Sequence, residues 1–573
     1  MNTHKKRGRG ALATLVAGVA AIALALGGAA VASAAPGDPD SPLILPGEAT
    51  EPITGTVTVH KHEQGSSAGS PANGLPQDVT SDPIPGVTFT ARQIVSVTDV
   101  SGTHNIDLTT NQGWLNAALL VRDSDGDWTF DGQPATPNFA AETHTEDTGP
   151  ADGTYEDAVF ADLPVGLYLF QETAAPANVT KSAPWVMTVP LTDPIGDSAG
   201  DIGPNERWNY NIHVYPKNSI TGVTKSVADA IAVKVGDPVA WTVTGDIPLV
   251  ANPEFNSDED VSAGNLKFFA PTAYVVKDDL DVRLTPASSN PVVVTLMDGG
   301  SVSLDAADYT IAWADPNPVG AGSELTLTFT TAGLNKLGLA VSSAANPGNV
   351  KVQVVLNTVV TSLNNPDDVD DPTNGTIGDG IIRNQAELFP NQSAVDSDTP
   401  VLSNEPESRW GDIIIRKVDA TDSENLLAGA EFQVFASQEA AEAGIEPITI
   451  NGDSTFVTEA GGQVTISGLR YSNWADGVSL GEEEGDEWQY YWIVETKSPE
   501  GFELLAEPIR VAVTAAQQEV DVTEIENVPT NAGFELPLTG GMGTAILTIV
   551  GIAILAIVLL VARRRRASEV AAE

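Results

Sequence analysis

An all-β chain of tandem immunoglobulin-like sandwich domains is predicted by three observations. Short alternating apolar runs fill the middle of the chain, as in Thr54-Gly55-Thr56-Val57-Thr58-Val59, Leu325-Thr326-Leu327-Thr328-Phe329 and Val350-Lys351-Val352-Gln353-Val354-Val355. Gly, Pro, Asn and Asp punctuate them, and helix signals are sparse, which is the pattern of antiparallel sandwiches. The length of 573 residues leaves room for about three or four domains once both ends are set aside. A helix over Gln112 to Leu120 is the one expected interruption.

The ends come first in chain order. Lys5, Lys6, Arg7 and Arg9 precede an apolar run from Ala11 to Val31, and Ala32-Ser33-Ala34 supplies a small-residue cleavage pattern. Residues 1–34 therefore read as an export signal rather than a retained membrane anchor, because a Pro/Gly/Asp-rich segment follows at once. Residues 35–54 form a loose leader. At the other end Leu536-Pro537-Leu538-Thr539-Gly540 precedes the uncharged run Met542–Ala562 and then Arg563, Arg564, Arg565 and Arg566. The run is long enough to cross a bilayer at about 20 residues, and the arginines hold its end in the cytoplasm. The order of motif, apolar helix and basic tail resembles the cell-wall sorting signal of sortase substrates. A plain single-span membrane protein is the competing reading. The resemblance implies cleavage between Thr539 and Gly540, with Thr539 left as an acyl group on a sortase cysteine. Residues 530–541 are then linker and motif, 542–562 the membrane helix and 563–573 a cytoplasmic tail.

The formal net charge of −49 argues against nucleic-acid binding, which needs a basic face, and favours a chain that resists non-specific association. No cysteine is present, so disulfides, thiol catalysis and thiolate metal sites are excluded. Six histidines without clustered spacing suggest no transition metal, and neither a phosphate loop nor a nucleophile elbow is found. Asp123-Ser124-Asp125-Gly126-Asp127 resembles part of a calcium loop but lacks the later bidentate Glu, so a polar turn is the better reading. The acidic run Asp367–Asp371 reads as a solvated loop. No cofactor, no metal and no enzyme activity towards other molecules are expected.

The middle divides into three domains, residues 55–219, 220–405 and 406–529. Leu163 to Pro176 in the first parallels Tyr490 to Phe502 in the third, each a strand ending in Glu-Thr, two residues, then Pro, which marks related modules. Side chains two apart on a strand share a face. Lys417 thus falls with Ile413 and Ile415, Glu495 with Tyr491 and Ile493, and Asn527 with Ile525: three polar groups aimed into one apolar core. Burial of charge is costly unless it is paired or neutralised; desolvation lowers a Lys pKa and raises a Glu pKa. A neutral amine can attack a carboxamide carbon while a protonated carboxyl polarises its oxygen; ammonia leaves and an amide remains. The plainer alternative is a buried Lys–Glu ion pair beside a structural Asn.

The third domain resembles the CnaB-type domain of Gram-positive surface proteins, through its Lys-Val-Asp first strand, its Glu495-Thr496-Lys497-Ser498-Pro499-Glu500-Gly501-Phe502 segment and its late Asn. The resemblance implies a Lys417–Asn527 isopeptide bond promoted by Glu495. The second domain resembles a CnaA-like middle domain, implying Lys225–Asn384 promoted by Asp278. Parity turns the competing Asp279 outward. The first domain offers Lys61, Asn218 and Glu172, but such first domains do not always close the bond, and the question stays open at this point.

Trp208-Asn209-Tyr210-Asn211-Ile212-His213-Val214-Tyr215-Pro216-Lys217-Asn218 closes the first domain. Parity sets Trp208, Tyr210, Ile212, Val214 and Asn218 on one face and Asn209, Asn211, His213, Tyr215 and Lys217 on the other, so Lys217 should reach solvent. The segment resembles the pilin motif WxxxVxVYPK with Ile212 for the first Val, and the Glu172 and Glu495 segments resemble the E-box, Glu495 more closely. Signal, domains, motif and sorting signal together resemble the major, or shaft, pilin of sortase-assembled pili. The resemblance implies that a pilus-specific sortase joins Thr539 to Lys217 of the next identical subunit, giving a head-to-tail polymer. A housekeeping sortase would fix the fibre to peptidoglycan, tip and base minor pilins would complete it, and adhesion to a host protein or glycan would be its use. A monomeric wall-anchored adhesin is the alternative; no constellation supports a surface hydrolase.

Overall fold

The computed structural model describes residues 54–64, 73–123, 126–149, 155–193, 207–252, 254–314, 322–361, 363, 380–514, 522–530 and 542–569. The export signal, nearly all of the leader, the Asp367–Asp371 run, Ser124, Asp125 and the Leu536–Gly540 motif lie outside the described residues. The chain forms two compact units, residues 1–409 with 474–482, and residues 410–473 with 483–573.

The first unit opens with β1 (Thr54–Val59) and β2 (His62–Glu63). β1 shows strict alternation of half-buried Thr54, Thr56 and Thr58 with buried Gly55, Val57 and Val59, as its period-two sequence dictates. β3 (Thr88–Asp99), β4 (Ala158–Pro164), β5 (Gly166–Ala174) and β6 (Trp185–Val189) follow. The part closes with β7 (Asn211–Val214) and β8 (Lys217–Ile220). β1 pairs antiparallel with β4 and parallel with β7, while β5 lies between β3 and β6. Val57, Phe89, Phe160, Tyr168, Phe170 and Ile212 fill the core. The expected helix occurs at Asn111–Leu119, its start capped by Thr110, whose Oγ1 accepts the Gly113 N–H at 3.0 Å.

Further along, β9 (Val223–Ala228), β10 (Pro238–Asp246), β11 (Val275–Asp279), β12 (Glu324–Phe329), β13 (Lys351–Val360), β14 (Ile381–Arg383) and β15 (Ala386–Phe389) are laid down. β10 lies between β9 and β13, and β11 between β12 and β15. Among the described residues no strand of 54–220 pairs with a strand of 223–402. A helix at Thr331–Ser343 was not expected; it buries Leu337, Ala340 and Val341. Gly338 lets it approach closely, since a Cβ there would stand 2.9 Å from the Cα of Ala270.

In the second unit β16 (Glu407–Asp419, its start still in the first unit) pairs antiparallel with β18 (Gln463–Arg470) and parallel with β20 (Val522–Asn527). Facing them, β17 (Glu431–Phe435) pairs with β19 (Tyr491–Lys497). The C-terminal helix spans Met542–Glu569, so it continues beyond Ala562 through the arginine cluster; its Leu547–Arg564 stretch is long and apolar enough to cross a membrane.

One hairpin departs from the sequence order. Residues 474–482 lie within the span assigned to the third domain, yet they belong to the first unit. Asp476 Oδ1 accepts the Asp229 and Ala230 N–H groups at 2.9 and 3.0 Å, and Asp476 N–H donates to Asp229 Oδ1 at 2.7 Å. Trp474 Nε1 donates to the Glu407 carbonyl at 3.0 Å, and the Arg409 guanidinium lies 3.5 Å over the Trp474 ring.

Candidate functional site

Three lysines, each enclosed by apolar side chains, meet a carboxyl group. Lys61, Glu172 and Asn218 are 0%, 3% and 1% exposed. Lys61 follows the alternation of β1 into the core, Glu172 faces inward with Tyr168 and Phe170 on β5, and Asn218 is carried by β8. The parallel pairing of β2 with β8 sets Asn218 level with Glu63 and therefore diagonal to Lys61. Lys61 Nζ donates to Glu172 Oε1 and, at 2.6 Å, to Asn218 Oδ1; Asn218 Nδ2 donates to Glu172 Oε2 at 2.7 Å. The ring is closed: amine on carboxamide oxygen, carboxamide nitrogen on carboxylate, carboxylate on amine.

The third cluster repeats this ring. Lys417 Nζ donates to Asn527 Oδ1 and stands 3.5 Å from Glu495 Oε1, while Asn527 Nδ2 lies 3.0 and 3.1 Å from the two Glu495 oxygens. Here the register of β16 with β20 places Asp419 opposite Asn527, two residues beyond Lys417. In both clusters a donor ten residues past the glutamate completes its shell. Ser182 Oγ donates to Glu172 Oε1 at 2.6 Å and its N–H to Oε2 at 3.2 Å; the Leu505 N–H donates to Glu495 Oε2 at 2.9 Å. Neither donor was anticipated; in both clusters the chain folds back after the Glu-Thr-x-x-Pro segment to bring the donor in.

The second cluster is built differently. Lys225 on β9 donates through Nζ to Asp278 Oδ2 on β11, and Asn384, just before β15, sits beside the carboxyl because Asp278 is level with Ala386. All three are at most 3% exposed. Asp278 Oδ1 and both amide atoms of Asn384 have no hydrogen-bond partner of good geometry. Asp279, the competing carboxylate, is exposed. Asn404 clasps the backbone of Lys225, accepting its N–H and donating to its carbonyl, each at 2.8 Å.

Burial holds the Lys61 and Lys417 amines down at about 8, against the opposing pull of Glu172 and Glu495. Lys225 is lowered by the same desolvation, and Asp278 is raised by it despite the nearby Lys225. Each site thus shifts its lysine towards the neutral amine that attack on a carboxamide requires.

Lys217 is set apart. It is half-buried rather than fully open, and its ammonium has no hydrogen-bond or ion-pair partner among the described residues. The expected unbroken strand from Trp208 to Asn218 divides at Tyr210, before which Arg207–Asn209 pairs with Leu191–Asp193, and again at Tyr215-Pro216, where proline brings no N–H to a ladder. β7 pairs with β1, and β8 starts afresh at Lys217 against β2. The parity reading holds for Ile212 and Asn218, which are buried, but Val214 and Asn209 are both half-buried, and the Trp208 side chain lies outside what is described. Asp123 N–H donates to the Asp127 carbonyl, and Asp127 N–H to Asp123 Oδ1, the hydrogen bonds of a turn. Thr539 lies outside the described residues.

Comparison with known proteins places the chain in a family. Residues 52–219 match the Gram-positive pilin subunit D1 N-terminal domain, and residues 528–570 match the LPXTG cell wall anchor motif. The chain is 32% identical to fimbrial subunit type 1 of Actinomyces viscosus, over 96% of its own length and 95% of the relative's. Identity to fimbrial subunit type 2 of Actinomyces naeslundii is 31%, over 91% of each chain. The fold resembles the full-length major pilin SpaD of Corynebacterium diphtheriae, with a TM-score of 0.55 at 24% identity, covering 83% of this chain and 98% of that one. The chain belongs to the fimbrial subunit family: it is a sortase-assembled, cell-wall-anchored pilin whose precursor crosses the membrane through its C-terminal helix.

Proposed function

We propose that Lys217 is the amine through which each subunit is joined to Thr539 of the next, and that Lys61–Asn218, Lys225–Asn384 and Lys417–Asn527 close into amides within each subunit. The observation that carries this reading is the contrast between four lysines. Lys61, Lys225 and Lys417 are enclosed and each is met by a carboxyl group, whereas the Lys217 side chain, at a strand start, has no partner among the described residues.

Inside a subunit the neutral lysine nitrogen adds to the asparagine amide carbon, the carboxyl group donates a hydrogen bond to the developing oxyanion, and ammonia leaves with the displaced proton. Fixed positions replace a bimolecular encounter, and the dry surroundings strengthen the polarising contact. The carboxyls act once, on their own chain, so the protein is a substrate of sortases and no enzyme towards other molecules. A pilus-specific sortase makes the Thr539–Lys217 link, and a second transfer attaches the finished fibre to peptidoglycan. Head-to-tail contacts of this kind extend as filaments rather than closing into rings.

Denaturing gels of wall extracts test the linkage. Wild-type cells give a high-molecular-weight ladder and Lys217→Ala cells give only anchored monomer. A single band from wild-type cells would instead favour the monomeric adhesin, and an unchanged ladder in Lys217→Ala would remove Lys217 from the reading.

A further inference from the structure

One of the six histidines of the chain, His62, stands on the ladder that carries Lys217, and two more, His60 and His213, lie just before it in the chain. β2 and β8 run parallel with His62 level with Lys217. Level residues on neighbouring strands send their side chains to the same face from backbones about 4.8 Å apart. The next residue, Asn218, turns into the core at 1% exposure, so Lys217 and His62 both turn outward, and both are half-buried.

The tautomer of His62 follows from its contact. Its Nδ1 lies 2.7 Å from the Ser81 carbonyl oxygen, which can only accept, so Nδ1 carries the hydrogen and Nε2 of the neutral ring is a lone pair. No hydrogen bond among the described residues occupies that Nε2. The other two histidines are committed. His60 Nδ1 faces Asp157 Oδ1 at 2.9 Å and its Nε2 meets His213 Nδ1 at 2.8 Å, while the Tyr215 ring stacks on His60 at 4.5 Å. Asp157 also accepts the Tyr155 hydroxyl at 2.8 Å, and that oxygen accepts the Lys61 N–H at 2.7 Å. This chain braces the ladder and leaves His62 as the free acceptor beside the lysine.

We propose that His62 takes the proton that Lys217 must lose to act as a nucleophile, an inference that rests on Lys217 being the linking amine. A lysine ammonium has no lone pair to offer, and solvated lysines are protonated near neutral pH. One proton passes from Lys217 Nζ to His62 Nε2. The neutral amine adds to the carbonyl carbon of the thioester that joins Thr539 to the sortase cysteine. The C–S bond breaks, the leaving sulfur takes the second proton from nitrogen, and His62 returns its proton to water. The titratable groups around His62 do not compete: Tyr155, whose ring centre is 6.1 Å away, is pushed up by burial and Asp157, and Glu63, next in sequence, is raised by its burial and by Asp82.

The test measures ladder formation by pulse-chase in cells expressing the full-length chain with its pilus sortase, at external pH values between about 5 and 8, the span over which histidine changes charge. His62→Gln retains a donor for the Ser81 carbonyl but cannot take a proton. Its rate should fall about 100-fold at neutral pH, the low end for general base catalysis, and the wild-type rise with pH should disappear. Imidazole added to His62→Ala cells should restore part of the rate. Unchanged internal cross-links in both variants, read by intact mass, establish that the domain still folds. A wild-type rate and pH profile in His62→Gln, beside a Lys217→Ala that forms no ladder, would overturn the proposal and leave the linkage standing. A uniform loss at every pH without imidazole rescue would also overturn it, by reducing His62 to a structural part. Ladders in Lys217→Ala would defeat the underlying reading instead.

Discussion

A lysine shut among apolar side chains must find a counter-charge or give up its proton, and in this pilin Lys61, Lys225 and Lys417 are arranged to do both in turn. The carboxyl partner is the residue to remove. In Glu495→Ala the Lys417–Asn527 bond does not form, and the intact mass is higher than wild type's, after correction for the substitution, by one ammonia. The unpaired buried ammonium then costs about 3–5 kcal/mol, seen as earlier thermal unfolding. Asp278→Asn loses the middle bond by the same mass criterion, and Asp279→Asn keeps it, since Asp279 is exposed. A pH dependence follows with a definite sign. The reactive form is the neutral amine, and its fraction in Lys61 and Lys417 grows as pH rises through about 8. Closure in freshly folded chains should therefore slow as pH falls and the amines stay protonated, and slow again at high pH once the carboxyl that must donate to the oxyanion has lost its proton; a rate that rose steadily as pH fell would contradict the neutral-amine mechanism. These residues were legible in the sequence because alternation alone places Lys417 with Ile413 and Ile415, and Asp278 with Val276 and Leu280. Ser182 and the Leu505 N–H were not: their roles depend on how a turn folds back over ten residues onto a glutamate.

At the scale of elements, the clusters depend on which strands lie side by side. Lys61 and Asn218 come from the start and end of one part of the chain, and Lys417 and Asn527 from β16 and the late β20. In each case parallel pairing of an early with a late strand brings amine and carboxamide together. The alternating runs announced these strands but not their partners, since pairing across a hundred residues leaves no local trace. The Thr331–Ser343 helix was missed because its small residues, Gly333, Gly338 and Ala340, weaken the apolar stripe by which a surface helix is read. Asp476 and Gly477 both have positive φ, 51° and 77°, as a two-residue hairpin turn of that kind requires. What the hairpin docks on was not legible, because Asp229 lies 247 residues away. Asp229 is fully buried and also accepts the Ser408 hydroxyl at 2.6 Å. Asp229→Ala strands buried donors at a cost of about 1–3 kcal/mol. The expected result is a lowered melting temperature together with new protease cleavage within residues 474–482, and protection equal to wild type would show the hairpin is held by other contacts.

Across the whole molecule, the proposed covalent closure would substitute for the disulfides that a chain without cysteine cannot form. The loops that Lys417–Asn527 and Lys61–Asn218 bonds would close span 110 and 157 residues. By the chain-entropy estimate for cross-links, a loop of that order removes about 5 kcal/mol from the unfolded state's advantage. Resistance to pulling is set by the unfolding rate, and a bond between early and late strands shortens the length that can extend under load. In single-molecule pulling the Glu495→Ala domain should therefore extend where the wild-type domain does not; equal extension would mean that the third bond bears no load. The C-terminal anchor was readable from its motif, apolar run and arginines, whereas the assignment of residues 474–482 to the first unit was not, since it depends on where one hairpin docks.

The central claim is the link between subunits, and the most direct measurement is mass spectrometry of proteolytic peptides from purified fibres. The account predicts a branched peptide in which the Thr539 carbonyl is joined to the Lys217 side-chain nitrogen, at an abundance matching the number of joints. Fibres whose Lys217 peptide is recovered unmodified, with Thr539 joined to another lysine, would contradict it.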